Sequence, residues 1–298
     1  MNEQNDYPID LRATQATIDL STRTLQSKAN STQDDSSKQD MNAGDISGDR
    51  VRIKGLSVQA IRFIAAICML SEHLWRTIAP DYIWLHYIGR IAFPMFAFLV
   101  VEGFYHTLSP RKYLLRLLLF AIISEIPFNM MYYGSYEAPT HQNVLWTLAA
   151  GLVAVMAIHH VKMRLDNLVA TGLTILFATS FMMRIATDIK ADFYGLGVMT
   201  VVLFYVMRNL RYVRIGELSG MFLINAVWMG GATVGWIILD RIVLFPAQTF
   251  ALLALPPIWK YNGTKGIDHK AIRYISYSFY PLHMLVLAIL MKYGVTIA

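Results

Sequence analysis

From about residue 57 onward the chain is a succession of apolar runs, most close to twenty residues long, joined by short basic segments. This pattern constrains the fold more than any single residue does. About 20 apolar residues at 1.5 Å rise cross a bilayer core, and lipid offers no partner for an unpaired peptide group. Each run is therefore predicted to be a helix, and the fold class is all-α, a polytopic transmembrane helical bundle. Composition agrees: 55% of residues are apolar and 15% charged, against about 45–50% and about 25% in soluble domains. A soluble enzyme is excluded. Nine spans are predicted, at about 57–75, 86–107, 113–132, 143–161, 167–186, 194–208, 217–238, 242–258 and 273–294.

The charges divide the chain in two. Residues 1–50 hold nine acids and five bases and are rich in Ser, Thr, Gln, Asn and Asp, with almost no aromatics. Such a segment buries too little apolar surface to offset its ordering entropy, so a disordered cytoplasmic tail is expected over 1–50 and a membrane domain over 51–298. No apolar stretch in the tail resembles a cleavable signal, and the first span is expected to serve as an uncleaved anchor. One cysteine, Cys68, leaves no intrachain disulfide and no CxxC motif. The pI near 9.3 reflects loop bases rather than a nucleic-acid partner; the expected surroundings are membrane lipid.

Loop charge orients the spans. One side collects Arg52, Lys54, Arg111, Lys112, Arg116, Lys162, Arg164, Arg208, Arg211, Arg214, Lys260, Lys265, Lys270 and Arg273. The other collects Arg76, Arg90, Arg184, Lys190, Arg241 and Lys292. The positive-inside rule puts the first set in the cytoplasm, with the N-terminus inside and, for nine spans, the C-terminus outside. The turn at Asp240-Arg241 is the weakest element, and losing it changes the parity.

Ionisable residues at membrane depth are costly and are paired or functional. Here they are Glu72, His73, Arg90, Glu102, His106, Glu125 and His283, with Asn129 beside them. Rise per residue puts Glu72, His73, Arg90, Glu125 and Asn129 in the outer half. Glu102, about 18 Å below Arg90, is expected near the middle with His283. One polar core through the bundle would accommodate them all. Arg62 and Arg116 read as snorkelling side chains and His159-His160 as interfacial. Trp75, Trp84, Tyr132-Tyr133 and Trp259 read as interfacial aromatics. Pro94 falls in the first turns of its helix, where a missing N–H is tolerated; Pro281 is expected to break the last helix just before His283. The turn Tyr261-Asn262-Gly263-Thr264-Lys265-Gly266 offers backbone N–H groups and Lys265 to an anion.

Six blocks in order, LSEHLW (70–75), GRIAFPMFAFLVVEGFYHT (89–107), RKYLLRLLLFAIISEIPFNMMY (111–132), DFYGLGV (192–198), YNGTKG (261–266) and YSFYPLHMLVL (277–287), resemble the TraX family over about 57–290. That family is named for the conjugative-plasmid protein that acetylates the N-terminus of F-type pilin. A more distant likeness runs to the membrane acyltransferase 3 superfamily, with His73 closing span one and Ser276–His283 in the last. Glu102 stands where that superfamily has serine.

The resemblance implies an integral membrane acetyltransferase of the bacterial inner membrane. It would move an acetyl group from acetyl-CoA to an amine or hydroxyl acceptor, pilin or another envelope molecule, without a metal. Acyl transfer needs a base and an oxyanion donor. His73 with Glu72, or His73 oriented by Glu125, would be the base, and Arg90 would stabilise charge. Glu102 and His283 would line the donor channel or relay the acyl group. Arg111, Lys112, Asn262, Gly263 and Lys265 would hold the CoA phosphates. Two other classes remain open: a secondary or proton-coupled transporter using Glu102, His106 and Glu125 as a relay, and a non-catalytic pilus assembly factor.

Overall fold

The computed structural model describes residues 55–136, 140–238, 241–266 and 269–297; the tail expected to be disordered, 1–50, lies outside them. The described chain is dominated by helices. Ser57 caps α1 (Val58–Thr77), its hydroxyl accepting Ala60 N–H at 3.2 Å. A short helix, α2 (Ile83–Gly89), leads directly into α3 (Ala92–His106). Gly89 lets α2 lie against α1: a Cβ there would sit 2.6 Å from the Glu72 Cβ and 3.0 Å from its Cα. Helix α4 (Pro110–Tyr133) carries Pro110 in its first turn and ends on Gly134 at φ 64°. That residue sits in the left-handed region that glycine reaches without strain.

Asn143 caps α5 (Val144–Leu165), and Asn167 caps α6 (Leu168–Asp188). Next come α7 (Tyr194–Met207) and α8 (Val213–Phe222), which runs on as a π-helical stretch, Leu223–Trp228. After a β-hairpin, a 3₁₀ segment (Ala247–Ala254) leads into α9 (Leu255–Trp259). Helix α10 (Lys270–Lys292) closes the fold.

The core is built on α3, α5 and α7, through residues such as Phe98, Val101, Leu152, Val155, Val201 and Phe204. Helix α10 packs on α4 and α1. More than half of the apolar stretch of α5 is buried, against 17% for α6. Leu173, Leu176, Phe177 and Phe181 of α6 stay exposed, as lipid-facing side chains do. Among the described residues four segments are long and apolar enough to cross a membrane: Ile83–His106, Pro110–Tyr133, Val144–Leu165 and Leu168–Asp188. Helix α7, with 14 residues, is shorter than the roughly 20 of a perpendicular span.

Two expectations are corrected. The helical spans predicted at 217–238 and 242–258 are replaced, over Thr233–Ile238 (β1) and Arg241–Pro246 (β2), by an antiparallel hairpin with Thr233 opposite Pro246 and Ile238 opposite Arg241. Gly230 and Gly231, at φ 61° and 98°, end the preceding helix. Val234, Trp236, Ile237, Ile238, Ile242 and Val243 then supply the β-branched and aromatic residues that favour strands. Apolarity alone does not distinguish this stretch from a helical span. Second, α10 continues through Pro281 without interruption. The proline removes a single N–H, and the turns on either side, packed on α1 and α4, hold the helix together.

Candidate functional site

Two polar cavities open near opposite ends of α3. The first, about 220 Å³, is lined by Glu72, His73, Arg76, His86, Arg90, Tyr132, His141, Asp192 and Tyr280, among others. The second, about 400 Å³, is lined by Phe98, Glu102, Arg208, Arg214, Glu217, Trp259, Tyr261 and Gly263, among others. The predicted polar groups therefore do not share one continuous core: Glu72, His73 and Arg90 line the first cavity and Glu102 the second, while Glu125, Asn129 and His283 line neither. Glu102 and His283, expected together at mid-membrane, have different partners and share no cavity.

His73 of α1, which lines the first cavity, meets His283 of α10 behind it. His73 Nδ1 lies 2.7 Å from His283 Nε2, with the rings within 6° of parallel. His283 Nδ1 lies 2.6 Å from the Phe279 carbonyl oxygen. That carbonyl can only accept, so with both rings neutral His283 Nδ1 carries the proton and donates. His283 Nε2 is then an acceptor and His73 Nδ1 the donor to it. His73 Nε2 keeps its lone pair. Both histidines are buried.

The hydrogen-bond partner of His73 is thus neither Glu72 nor Glu125. Glu72 takes Arg90 Nη2 at 2.5 Å and His86 Nδ1 at 3.0 Å. Arg90 Nη1 also donates to Gln248 Oε1 at 3.3 Å, Gln248 Nε2 to Asn225 Oδ1 at 3.0 Å, and Asn225 Nδ2 to the Met221 carbonyl at 2.9 Å. This chain ties Arg90 to the 3₁₀ segment and α8. Arg90 Nε is buried with no hydrogen-bond partner among the described residues. Glu125 stands apart: one oxygen accepts Asn143 N–H, Asn143 Nδ2 and Trp146 Nε1 at 3.0, 2.6 and 2.7 Å, securing the start of α5. Asn129 Nδ2 donates to the Tyr136 carbonyl at 3.4 Å.

A strained segment carries Asp192, which lines the same cavity as His73. Lys190, Phe193 and Tyr194 all have positive φ, at 54°, 62° and 47°, and each non-glycine residue held there costs roughly 1–2 kcal/mol. The strain is held by Gln142 N–H donating to the Lys190 carbonyl and Asp192 N–H to the Gln142 carbonyl, at 2.9 and 3.0 Å, and by Thr147 Oγ1 donating to the Asp192 carbonyl. Asp192 Oδ1 accepts Phe193 N–H at 3.1 Å and faces His141 Nε2 at 3.3 Å.

In the second cavity Glu102, 1% exposed, is paired with Arg208 and lies 3.5 Å from His106 Nε2. The Arg208 guanidinium also covers the Tyr105 ring at 4.4 Å. Buried Glu217 accepts Trp259 Nε1 at 2.6 Å. The Tyr261 hydroxyl is buried without a hydrogen-bond partner among the described residues. Burial pushes its phenol up while Arg208 opposes the shift, so it keeps its proton.

The candidate phosphate ligands separate. Gly263 lines this cavity, at φ 77°. Asn262 Oδ1 accepts Thr264 N–H at 3.1 Å and Thr264 Oγ1 at 2.7 Å. The turn also serves α1: Val58 N–H and Gln59 N–H donate to the Thr264 and Lys265 carbonyls at 2.9 and 3.2 Å. Two of its amides expected to be open, at Asn262 and Thr264, are used within the fold. Arg111, Lys112 and Lys265 are exposed and line neither cavity.

Sequence reasoning missed His86, Gln248, Asp192, Arg208 and Glu217 as site residues. One was signalled: His86 stands four residues before Arg90, on the same helical face. Gln248, Arg208 and Glu217 come from elements whose approach depends on the hairpin and on the end of α7.

The chain matches the TraX family (TraX protein) over residues 57–291. It is 30% identical over 241 residues to the probable fimbrial assembly protein FimC, serogroup H1, of Dichelobacter nodosus, covering 75% of this chain and 87% of that protein. No solved structure matches it. The family match spans well over half the chain and runs from the cap of α1 to the end of α10, so it includes both cavities: the protein belongs to the TraX family.

Proposed function

We propose that the chain is an acetyl-CoA-dependent acetyltransferase of the bacterial inner membrane, with a pilus-related role. The name of the fimbrial assembly relative supports that role. The excess of loop bases supports a cytoplasmic N-terminus. It also supports a cytoplasmic second cavity, since Arg208, Arg214 and Gly263 come from basic segments, and an outward-facing histidine cavity. Acetyl-CoA would enter from the cytoplasm and present its thioester to an amine or hydroxyl held in the histidine cavity. An N-terminal amine of pilin, or of another envelope protein, fits the carboxylate of Asp192.

The observation that carries this reading is the line Phe279 carbonyl, His283, His73. It leaves His73 Nε2 as a buried, oriented base, in the way an orienting acceptor serves the imidazole of a catalytic triad. His73 Nε2 takes the acceptor proton as the acceptor attacks the thioester carbonyl carbon. The Nδ1–H of the resulting imidazolium still donates to His283. The unpaired Arg90 Nε–H suits the developing oxyanion, while Glu72 and Gln248 hold the guanidinium in place. Collapse of the tetrahedral intermediate breaks the carbon–sulfur bond, and the proton on His73 goes to the departing thiolate. Mass spectrometry of envelope proteins from cells with and without the gene tests the reading. It requires an acetylated species that disappears with the gene and stays absent when His73→Gln is supplied.

A further inference from the structure

We infer that the second cavity binds the adenosine 3′,5′-bisphosphate end of the donor, with Arg208 and Arg214 on phosphate and Glu217 and Tyr261 on the base. The inference rests on the reading that the donor is acetyl-CoA. Of the residues expected to hold the phosphates, Arg111, Lys112, Asn262, Gly263 and Lys265, Gly263 lines this cavity, whereas Arg111, Lys112 and Lys265 are exposed and line neither.

Four observations converge. The cavity, about 400 Å³, falls within the roughly 300–1,000 Å³ of small-molecule sites. It has two guanidinium groups at its rim. Arg208 uses Nη1 on Glu102, which leaves further N–H donors of its planar fork for an anion. Arg214 is exposed, over the Trp259 ring at 5.9 Å. The lining between them is aromatic: Phe98, Phe204, Trp259 and Tyr261. Two buried polar groups then remain incompletely used. The Tyr261 hydroxyl has no partner among the described residues. Glu217, 4% exposed, has one carboxylate oxygen on the indole N–H.

A buried carboxylate suits a ligand that brings hydrogen-bond donors and repels one that brings only acceptors. An adenine exocyclic amine is such a donor, and the Tyr261 O–H can answer a ring nitrogen. Phosphate on a lipid headgroup would satisfy the arginines but would leave Glu217, Tyr261 and the aromatic lining unused. A purine nucleotide uses all of them.

The test is binding of adenosine 3′,5′-bisphosphate to the full-length protein in nanodiscs. Wild type should bind it, and Arg214→Ala should weaken binding roughly 10–100-fold, as the loss of a charge-assisted contact does. Arg208→Ala also strips the partner of buried Glu102 and can misfold, so exposed Arg214 carries the comparison. Inosine 3′,5′-bisphosphate, with a carbonyl in place of the amine, should bind more weakly than the adenosine form, and Glu217→Gln should narrow that gap.

Absence of nucleotide binding overturns the inference, as does affinity unchanged by both Arg214→Ala and Glu217→Gln. So does an Arg214→Ala effect confined to association with phosphatidylglycerol. The underlying reading fails separately: if the nucleotide binds as expected but no acetyl transfer occurs, the site stands and the transferase does not. If transfer proceeds in Arg214→Ala with an unchanged KM for acetyl-CoA, the transferase stands and the site does not.

Discussion

The two cavities at the ends of α3 solve opposite problems with polar side chains. At the histidine cavity His73 is held by His283 and, through it, by a backbone carbonyl, and the carboxylates have partners: Glu72 has Arg90 and His86, Asp192 a backbone N–H and His141. That arrangement fixes directions, with His73 Nε2 and the Arg90 Nε–H oriented but not used by the pairs named here. In the second cavity Arg214 is exposed and a tyrosine hydroxyl has no partner among the described residues, within a larger aromatic space. That arrangement suits holding a ligand rather than moving a proton. In the proposed enzyme, transition-state stabilisation belongs to the first cavity and uniform binding to the second.

This division can be broken in kinetics, because the two cavities should separate kcat from KM. The largest effect is expected for His73→Gln, which keeps size and polarity but cannot take a proton. Acetyl transfer should fall about 10²–10⁴-fold with the KM for acetyl-CoA and protein abundance unchanged. A fall in donor affinity alone would dissolve the distinction between the cavities.

Arg90→Lys comes next. Lysine can still neutralise Glu72 but has no Nε–H beside a second donor pair. Removing one oxyanion donor costs about 10²–10³-fold in kcat, and a smaller loss is expected where the lysine partly substitutes. Full activity would remove Arg90 from the reaction and leave it as the partner of Glu72.

Gly89→Ala tests the close approach of α2 to α1. The new Cβ would meet the Glu72 Cβ and Cα, where no flexible side-chain end can simply swing away. A loss of about 1–3 kcal/mol is expected from overpacking, read as a lower melting temperature in detergent, together with reduced activity. Wild-type stability would show that α2 is free to shift.

The smallest effects are expected at Lys265→Ala and Arg111→Ala. Both side chains are exposed and line neither cavity, and exposed charges typically contribute less than about 1 kcal/mol. The KM for acetyl-CoA should change by less than about 5-fold. A loss as large as that expected for Arg214→Ala would move the phosphate site to the turn and the start of α4.

Much of the helical architecture was legible because lipid demands long apolar runs, and α2 with α3, α4, α5 and α6 announce themselves by length. The hairpin was not, because Thr233–Pro246 is as apolar as a span. Only Gly230-Gly231 and the β-branched residues after it argue otherwise. His73, His283, Glu72 and Arg90 were legible as costly groups at membrane depth. Their pairing was not, since rise along a helix gives depth but not azimuth. Glu102 shows the limit: its depth put it beside His283, whereas its partner Arg208 comes from the far end of α7. Asp192 falls between two expected spans, and only the strained backbone brings it to the cavity.

In the proposed reaction an acetyl group passes from a donor on the Arg208 side of α3 to an acceptor on the His73 side. Sealed vesicles of uniform orientation test it most directly, with isotopically labelled acetyl-CoA only at the cytoplasmic face and a peptide amine only at the opposite face. Mass spectrometry of the peptide should find the label with wild type and at least about 100-fold less with His73→Gln. Label appearing only when both reactants share a face, or appearing equally with His73→Gln, would contradict the account.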